Sequence, residues 1–476
     1  MPKPSPSRDS NASPAGHSSC HRCGSDSDCG DAGCDALEGS GSSRRNFIKN
    51  GGMILAGSAI VGSNASIARA AHGYGSDLIK VGLIGCGRRG TAAAVQALNT
   101  SGPVQLVAMA DVFDNNLHTA YRTINGQHSD KVNVKHSRFV GLDGYRGVMQ
   151  SDADVVILAT PPGFRPLQFE AAIAAGKHVF MEKPVATDAP GVRRVLAAGE
   201  MATQKGLAVQ VGLQRRHERR YQDCIERLKQ GAIGDPIFAR AYWNGGNVAV
   251  RPRRAKQTEL EYQLRNWYYF NWLCGDLISE QHIHNLDVIN WLLDSHPIEA
   301  QGQGGREIRR GVEHGQIFDH HMIEYSYAGG VRMLSQCRQM PGCWNQVGEH
   351  IHGTNGSADI SAAKIYDRGG KLIWKSDAED TKGKGWQQEQ HDLFAALRRG
   401  DKPNETQHAA NSTMTAILGR LATYSGKIVR WDDAITSDVQ LAAIDSLHTL
   451  DCTPPVSPSS DGHYPAPVPG SKTRFV

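Results

Sequence analysis

Residues 78–90 read Leu78-Ile79-Lys80-Val81-Gly82-Leu83-Ile84-Gly85-Cys86-Gly87-Arg88-Arg89-Gly90. A short apolar run ending in glycine predicts a strand buried on both faces of a parallel sheet. An Ala-rich helical pattern follows to about Leu98. Gly85-x-Gly87-x-x-Gly90 between a strand and a helix is the pattern of a dinucleotide-binding turn. Gly85 permits the tight turn, Gly87 lets backbone approach a pyrophosphate, and Gly90 lets the helix pack on the strand. The free N–H groups of the helix N-terminus then face the phosphates. Gly85, Cys86, Gly87, Arg88, Arg89 and Gly90 are therefore the first candidate cofactor-binding residues.

Working outward, a second strand from Val104 to Ala110 ends in Asp111. A carboxylate there suits the hydroxyls of an adenosine ribose and repels a 2′-phosphate, so the expected cofactor is NAD. Arg88 offers a partner for a phosphate, which leaves NADP open. The alternative for Asp111 is a helix N-cap. Strand patterns recur at Asp154–Ala159, His178–Met181 and Leu207–Val211, with helices through Gly176 and from about Pro190 to Lys205. This alternation predicts an α/β fold: a doubly wound parallel sheet over 78–213, with its ligand at the strand C-termini. Thr160 and Pro161 follow one strand, and Glu182 and Lys183 another, so they join the cofactor set.

Lys183 falls where the nicotinamide of such a cofactor lies. A lysine there can hydrogen-bond a substrate hydroxyl and stabilise a developing alkoxide. The later stretch Gly275–Leu293 has apolar residues at 277, 278, 283, 286, 289, 292 and 293, a helical period. On a regular helix Glu280, His284 and Asp287 share one face. A histidine flanked by carboxylates suits a general base; the alternative is a structural histidine. Glu280, His282 and His284 as metal ligands would require His282 and His284, two apart, to converge from diverging sides of a helix, so no metal is expected. Just upstream, Arg265-Asn266-Trp267-Tyr268-Tyr269 offers aromatic faces and donors for a sugar, or ordinary core aromatics. From about 214 the pattern changes. A helix at 216–230 and a strand at 236–243 are followed by a basic loop, then alternating segments near 315–327, 330–340, 344–352 and 364–374. These predict a broad, mostly antiparallel open sheet over 214–450, with helices near 387–399 and 408–425. His320 and His321 straddle its faces, so one of them can reach the cleft. Residues 453–476, with Pro and Ser throughout, read as an extended arm.

With 476 residues, 39% hydrophobic and 21% charged, the chain has material for real cores, which excludes global disorder. No run approaches a membrane span. A net charge of +4 without a long basic block excludes an electrostatic nucleic-acid binder. Residues 1–70 read as a leader. Ser43-Arg44-Arg45-Asn46-Phe47-Ile48-Lys49, an apolar stretch from Met53 to Val61 and Ala68-Arg69-Ala70 form the three parts of a secretory signal, and the paired arginines resemble a twin-arginine signal. The alternative is a basic linker before a core helix, against which glycines at 51, 52, 57 and 62 argue. Cys20, Cys23, Cys29 and Cys34 have metal-ligand spacing but no apolar surroundings to fold around an ion.

Taken in order, Gly85-x-Gly87-x-x-Gly90, Glu182-Lys183-Pro184 and His284-x-x-Asp287 resemble the glucose–fructose oxidoreductase / inositol dehydrogenase (Gfo/Idh/MocA) family. The junction Val211–Arg216 and Gly231-Ala232-Ile233-Gly234-Asp235-Pro236 extend the likeness over about 78–450. The resemblance implies Lys183 and His284 as catalytic residues, with the histidine accepting the proton. It implies substrate contacts from Glu280, where the family commonly has Asp, and from the region of His282, where it often has Gly. We add Asp287, Arg265 and Trp267 as candidate substrate residues. It further implies a homodimer or homotetramer built through the broad sheet. The expected function is an exported NAD-dependent oxidoreductase acting on a sugar, polyol or glycoside hydroxyl. An NAD-dependent glycosidase working by transient oxidation and elimination, and a non-catalytic sugar sensor, are the alternatives. Twin-arginine export suits a protein that folds around its cofactor before crossing a membrane.

Overall fold

Strand β1 (Ile79–Ile84) lies at the centre of a six-stranded sheet, with β2 (Val104–Asp111) on one side and β4 (Val155–Leu158) on the other. The structure, a computed structural model, describes residues 77–378 and 384–471. The leader, with its paired arginines and cysteine cluster, and the last five residues of the expected arm lie outside them. Adding β3 (Arg138–Val140), β5 (His178–Met181) and β6 (Val209–Val211) gives the order β3-β2-β1-β4-β5-β6, all parallel. The order reverses between β1 and β4, which opens a crevice at the strand C-termini. Helices α1 (Arg88–Leu98), α2 (Asp114–Gln127), α3 (Gly144–Gln150), α4 (Arg165–Ala174) and α5 (Ala189–Gln204) connect the strands. Residues 155–158 are buried throughout, as a strand covered on both faces requires.

After α6 (Arg219–Lys229), β7 (Pro236–Gly245) enters a second, nine-stranded sheet. Short helices α7 (Glu259–Arg265) and α8 (Asn271–Cys274) lead to α9 (Ile283–Leu293). The remaining strands are β8 (Pro297–Gly305), β9 (His320–Tyr327), β10 (Arg332–Gln339), β11 (Gln346–Gly353), β12 (Gly356–Asp359), β13 (Lys364–Asp367), β14 (Leu372–Lys375) and, after α10 (Gly385–Arg399) and α11 (Thr406–Ser425), β15 (Val429–Arg430). The order is β14-β13-β12-β11-β7-β10-β9-β8-β15, antiparallel except for β7 with β10. The α/β expectation and its mostly antiparallel second sheet hold. β8 carries no strand signal in the sequence, because Pro297-Ile298-Glu299-Ala300-Gln301-Gly302-Gln303-Gly304-Gly305 lacks apolar alternation.

The stretch 275–293 departs from the expected single helix. Gly275 and Asp276 both adopt positive φ, 77° and 74°. Asp276 is held there by its carboxylate, which accepts from Phe318 N (2.9 Å) and the Tyr424 hydroxyl and faces His321 Nε2 at 3.3 Å. That pins His321 in the core, away from the cleft, while His320 stays half-exposed on Asp319. Ile278–His282 then forms a π-turn before α9 begins. Such wide turns are frequent at functional sites. Its extra residue per turn breaks the shared face expected of Glu280, His284 and Asp287.

Among the described residues, no helix is long and apolar enough to cross a membrane.

Candidate active site

The turn after β1 is built for a close backbone approach. Gly85 has φ +94°, and a Cβ there would lie 2.6 Å from the carbonyl carbon of Ala159. A Cβ on Gly90 would lie 1.8 Å from Gly85 O. At Gly87, by contrast, nothing lies within 4 Å of the Cβ position. This open flank borders the N-terminus of α1, which has no side-chain cap. Free amides beside an open backbone surface fit a pyrophosphate. Arg88 is exposed beside it.

Asp111 completes this end. Its Oδ2 accepts from Cys86 N (2.7 Å), and its Oδ1 accepts from Phe113 N (2.8 Å) and Asn116 Nδ2 (3.2 Å). The carboxylate thus ties the glycine turn to the start of α2; the residue at the N-cap is Phe113, not Asp111. Two carboxylate oxygens offer about four acceptor sites, so one remains for a ribose hydroxyl. Burial pushes its pKa up, opposed by these hydrogen bonds. Asp111→Ala is expected to raise the dissociation constant for NAD roughly 10- to 150-fold, the equivalent of about 1.5–3 kcal/mol for a charged hydrogen bond. Equilibrium titration checks this, and unchanged affinity would remove Asp111 from the cofactor site.

Three members of the expected cofactor set do other work. Arg89 turns from the phosphate side to Glu182, Glu389 (2.8 Å) and Gln96 (2.8 Å). Glu182 meets Arg89 through its Oε1. Thr160 bonds Gln168 at 2.6 Å. Pro161 is half-buried in the same loop. Arg165, fully buried, donates to both Thr160 O and Pro184 O and so fastens the loops after β4 and β5 together. Burial lowers its pKa to about 10. No local pattern marked it, since an arginine inside a helix ordinarily faces water.

Lys183 follows β5, and its ammonium donates to the backbone carbonyl of Glu280 and to Glu280 Oε1 (3.3 Å). One of its three N–H donors is left for a ligand. Burial raises the Glu280 carboxyl and Lys183 draws it back. His284, one turn on, is buried, and its Nδ1 has no hydrogen-bond partner. Such an atom asks for an explanation. Burial, then the cations Lys183, Arg215 and Arg89, hold its pKa well below the usual imidazole value. A neutral imidazole with an idle nitrogen beside a lysine is suited to taking a proton.

The other expected substrate residues lie elsewhere. His282 is fully buried, with Nε2 on Ser335 Oγ (2.7 Å) and Nδ1 on Asn285 (3.3 Å), so it braces the helix against β10. It and His284 serve different neighbours. Asp287 is 1% exposed and ion-paired to Arg216 (2.8 Å), with Ser412 also on its Oδ1, which leaves it no substrate role. Arg265 stacks 3.8 Å over the Phe113 ring and pairs with Glu261 (2.8 Å), which places it at the Asp111 end. Trp267 is half-buried, edge-on to Tyr268. Trp267 packs on a hydrophobic cluster that joins Phe113, Leu142 and Phe164 to 260–274 and to Ile444, Leu447 and Tyr464 of the chain's later part, and Arg265 lies on its Phe113. His448 reaches back to Asp143 at 3.0 Å, and Asp188 holds the amide of Leu441 at 2.7 Å. The late segment is therefore laid over the edge of the first sheet.

Comparison with known proteins agrees with this layout. The sequence profile of an oxidoreductase family with an NAD-binding Rossmann fold, Gfo/Idh/MocA, matches residues 79–213, and that of the Gfo/Idh/MocA C-terminal domain matches 221–359. Inositol 2-dehydrogenase of Acidothermus cellulolyticus is 28% identical over 228 residues, 48% of this chain and 57% of that protein. The same-named protein of Pseudomonas syringae is 27% identical over 236 residues, 50% and 61%. The chain thus spans less than two thirds of the length of these relatives. A levoglucosan dehydrogenase solved with NADH and levoglucosan superposes with a TM-score of 0.59 at 17% identity, covering 74% of this chain and 99% of that one. A scyllo-inositol dehydrogenase from Lactobacillus casei, with NAD(H) and scyllo-inositol, gives 0.58 at 19%, covering 75% and 100%. At such identities these likenesses bear on the fold alone.

Proposed function

The chain belongs to the Gfo/Idh/MocA oxidoreductase family, and from that premise we propose that it is an exported NAD-dependent oxidoreductase acting on a secondary hydroxyl of a sugar or polyol. The observation that carries the reading is the Lys183 ammonium after β5 anchored on Glu280, four residues before a buried His284 whose Nδ1 has no partner and which feels the lysine's charge. Dinucleotide binding falls to 78–213, and substrate binding and assembly to 214–450.

The residues divide the work as follows. Gly87 and the amides of α1 receive the pyrophosphate, and Asp111 the ribose. Lys183 donates its remaining N–H to the substrate oxygen. Glu280 keeps the ammonium aimed and balances its charge. His284 takes the hydroxyl proton as the C–H bond breaks, which leaves a carbonyl. Bound nicotinamide supplies the hydride acceptor. The test is to release the nucleotide carried by the native protein, identify it, and then screen sugars and polyols for appearance of reduced nicotinamide. No reduction across such a panel would sink the reading.

Export rests on the three-part leader pattern of residues 43–70, and its route on the paired arginines. Arg44→Lys with Arg45→Lys should keep the protein in the cytoplasm of its host. Unchanged secretion in a cell fractionation would defeat it. Assembly as a homodimer or homotetramer through the second sheet is supported by exposed Met322 and Val347 on β9 and β11.

A further inference from the structure

The inward-facing row of β7 reads Ala239, Ala241, Trp243. The two alanines are fully buried and let α9 approach the sheet closely. The row then ends abruptly in the largest side chain available, and Trp243 is only half-buried. Its indole lies nearly parallel to the His284 imidazole, with centroids 6.0 Å apart and planes 26° from each other. The guanidinium of Arg215 stands 6.0 Å from the same indole. Arg215 is itself immobilised by Glu349, which also takes Asn285 Nδ2 (2.5 Å) and the Tyr221 hydroxyl (3.3 Å). Asn285 is the residue after His284, so one buried carboxylate fixes both the helix that carries the histidine and the cation behind the tryptophan.

We propose that Trp243 is a positioning residue for His284: its flat face sets the imidazole plane and keeps water from that flank. The inference rests on His284 as the proton acceptor, and it adds the residue that orients it. An imidazole with an idle Nδ1 and no carboxylate orienter needs another means of holding its ring, because a misplacement of about 1 Å can cost roughly 10²-fold in rate. A tryptophan face supplies one without adding a charge. The charged groups facing His284 are Lys183 after β5, Arg89 in α1 and Arg215 after β6. Glu349 of β11 is engaged by Arg215 and Asn285, and Glu280 by Lys183. On the α11 side, Asp287 is taken by Arg216 and Ser412. Among the described residues each of these carboxylates, and Glu182 on Arg89, is held by another partner, and exclusion of water keeps the imidazole pKa low.

The experiment uses the full chain with Trp243→Leu, which keeps an apolar strand but removes the flat face, and Trp243→Phe, which keeps a smaller one. Two readouts are taken: kcat and KM against pH on a polyol that the wild type oxidises, and direct NMR titration of the His284 ring. Trp243→Leu should lower kcat roughly 10- to 100-fold with KM within about 3-fold, and should move the His284 titration up towards the ordinary value. Trp243→Phe should stay within about 3-fold of wild type. Equal losses in both variants, or a Leu variant with wild-type kcat and an unmoved titration, overturns the proposal. If Trp243→Leu fails to fold, the Phe variant carries the test through its titration: a smaller upward shift supports the proposal and an unmoved ring refutes it. If no polyol is oxidised, the proton-acceptor reading fails separately, and the NMR titration still decides whether Trp243 governs the imidazole.

Discussion

His284→Ala is expected to lower kcat/KM roughly 10²–10⁴-fold, the usual cost of losing a general base. Alcohol oxidation needs the hydroxyl proton removed as the hydride leaves, and the neighbouring His282 does not compete for that role, since its ring is engaged by Ser335 and Asn285 in the core. The variant should still hold NAD, because the glycine turn and Asp111 lie at the other end of the dinucleotide. Its rate should recover in part at high pH, where hydroxide substitutes. The wild type should show the complementary behaviour. Because the His284 pKa is depressed, the base stays unprotonated as pH falls through the ordinary imidazole range, so the acid limb of kcat/KM should lie below about 6.5. Steady-state kinetics across pH measures both, and near-wild-type turnover in the alanine variant would make the histidine structural.

The second large effect belongs to Lys183. Lys183→Met keeps the length of the side chain and removes the donors, so the developing alkoxide loses its partner. Loss of one such donor costs about 10²–10³-fold. High pH should give no rescue, because hydroxide cannot replace a hydrogen-bond donor. Glu280, deprived of its ion pair in a buried setting, should become harder to ionise. The contrast between a rescued His284→Ala and an unrescued Lys183→Met separates proton removal from alkoxide stabilisation. Two equal, pH-insensitive losses would mean that the pair acts only in binding.

What could be read from the chain follows the range of each interaction. The glycine turn, the strand alternation and Lys183 at a strand end are local patterns, and each stands where the sequence put it. The periodicity of 275–293 misled, because the π-turn depends on Asp276 holding a left-handed backbone with help from Phe318 and Tyr424, far away in the chain. Asp287 carries no mark of its pairing with Arg216, 71 residues earlier, nor His282 of its bond to Ser335, 53 residues later. Arg265 and Trp267 have the composition of a sugar platform, yet tertiary packing carries them to the Asp111 end. Trp243 shows the converse: in an isolated strand it is one more apolar residue, and its meaning appears only when α9 lays a histidine against it.

The late segment laid over the first sheet also has a consequence in time. Asp143 and His448 are 305 residues apart, so at ordinary translation speeds roughly 15–60 s separate the emergence of one from that of the other. Throughout that interval Asp143 lacks its late partner, while Phe113 already has Arg265 and the 260–274 stretch to pack on. The late strap therefore closes on a sheet whose other contacts can already be in place, and the direction of synthesis makes it the final layer of this edge.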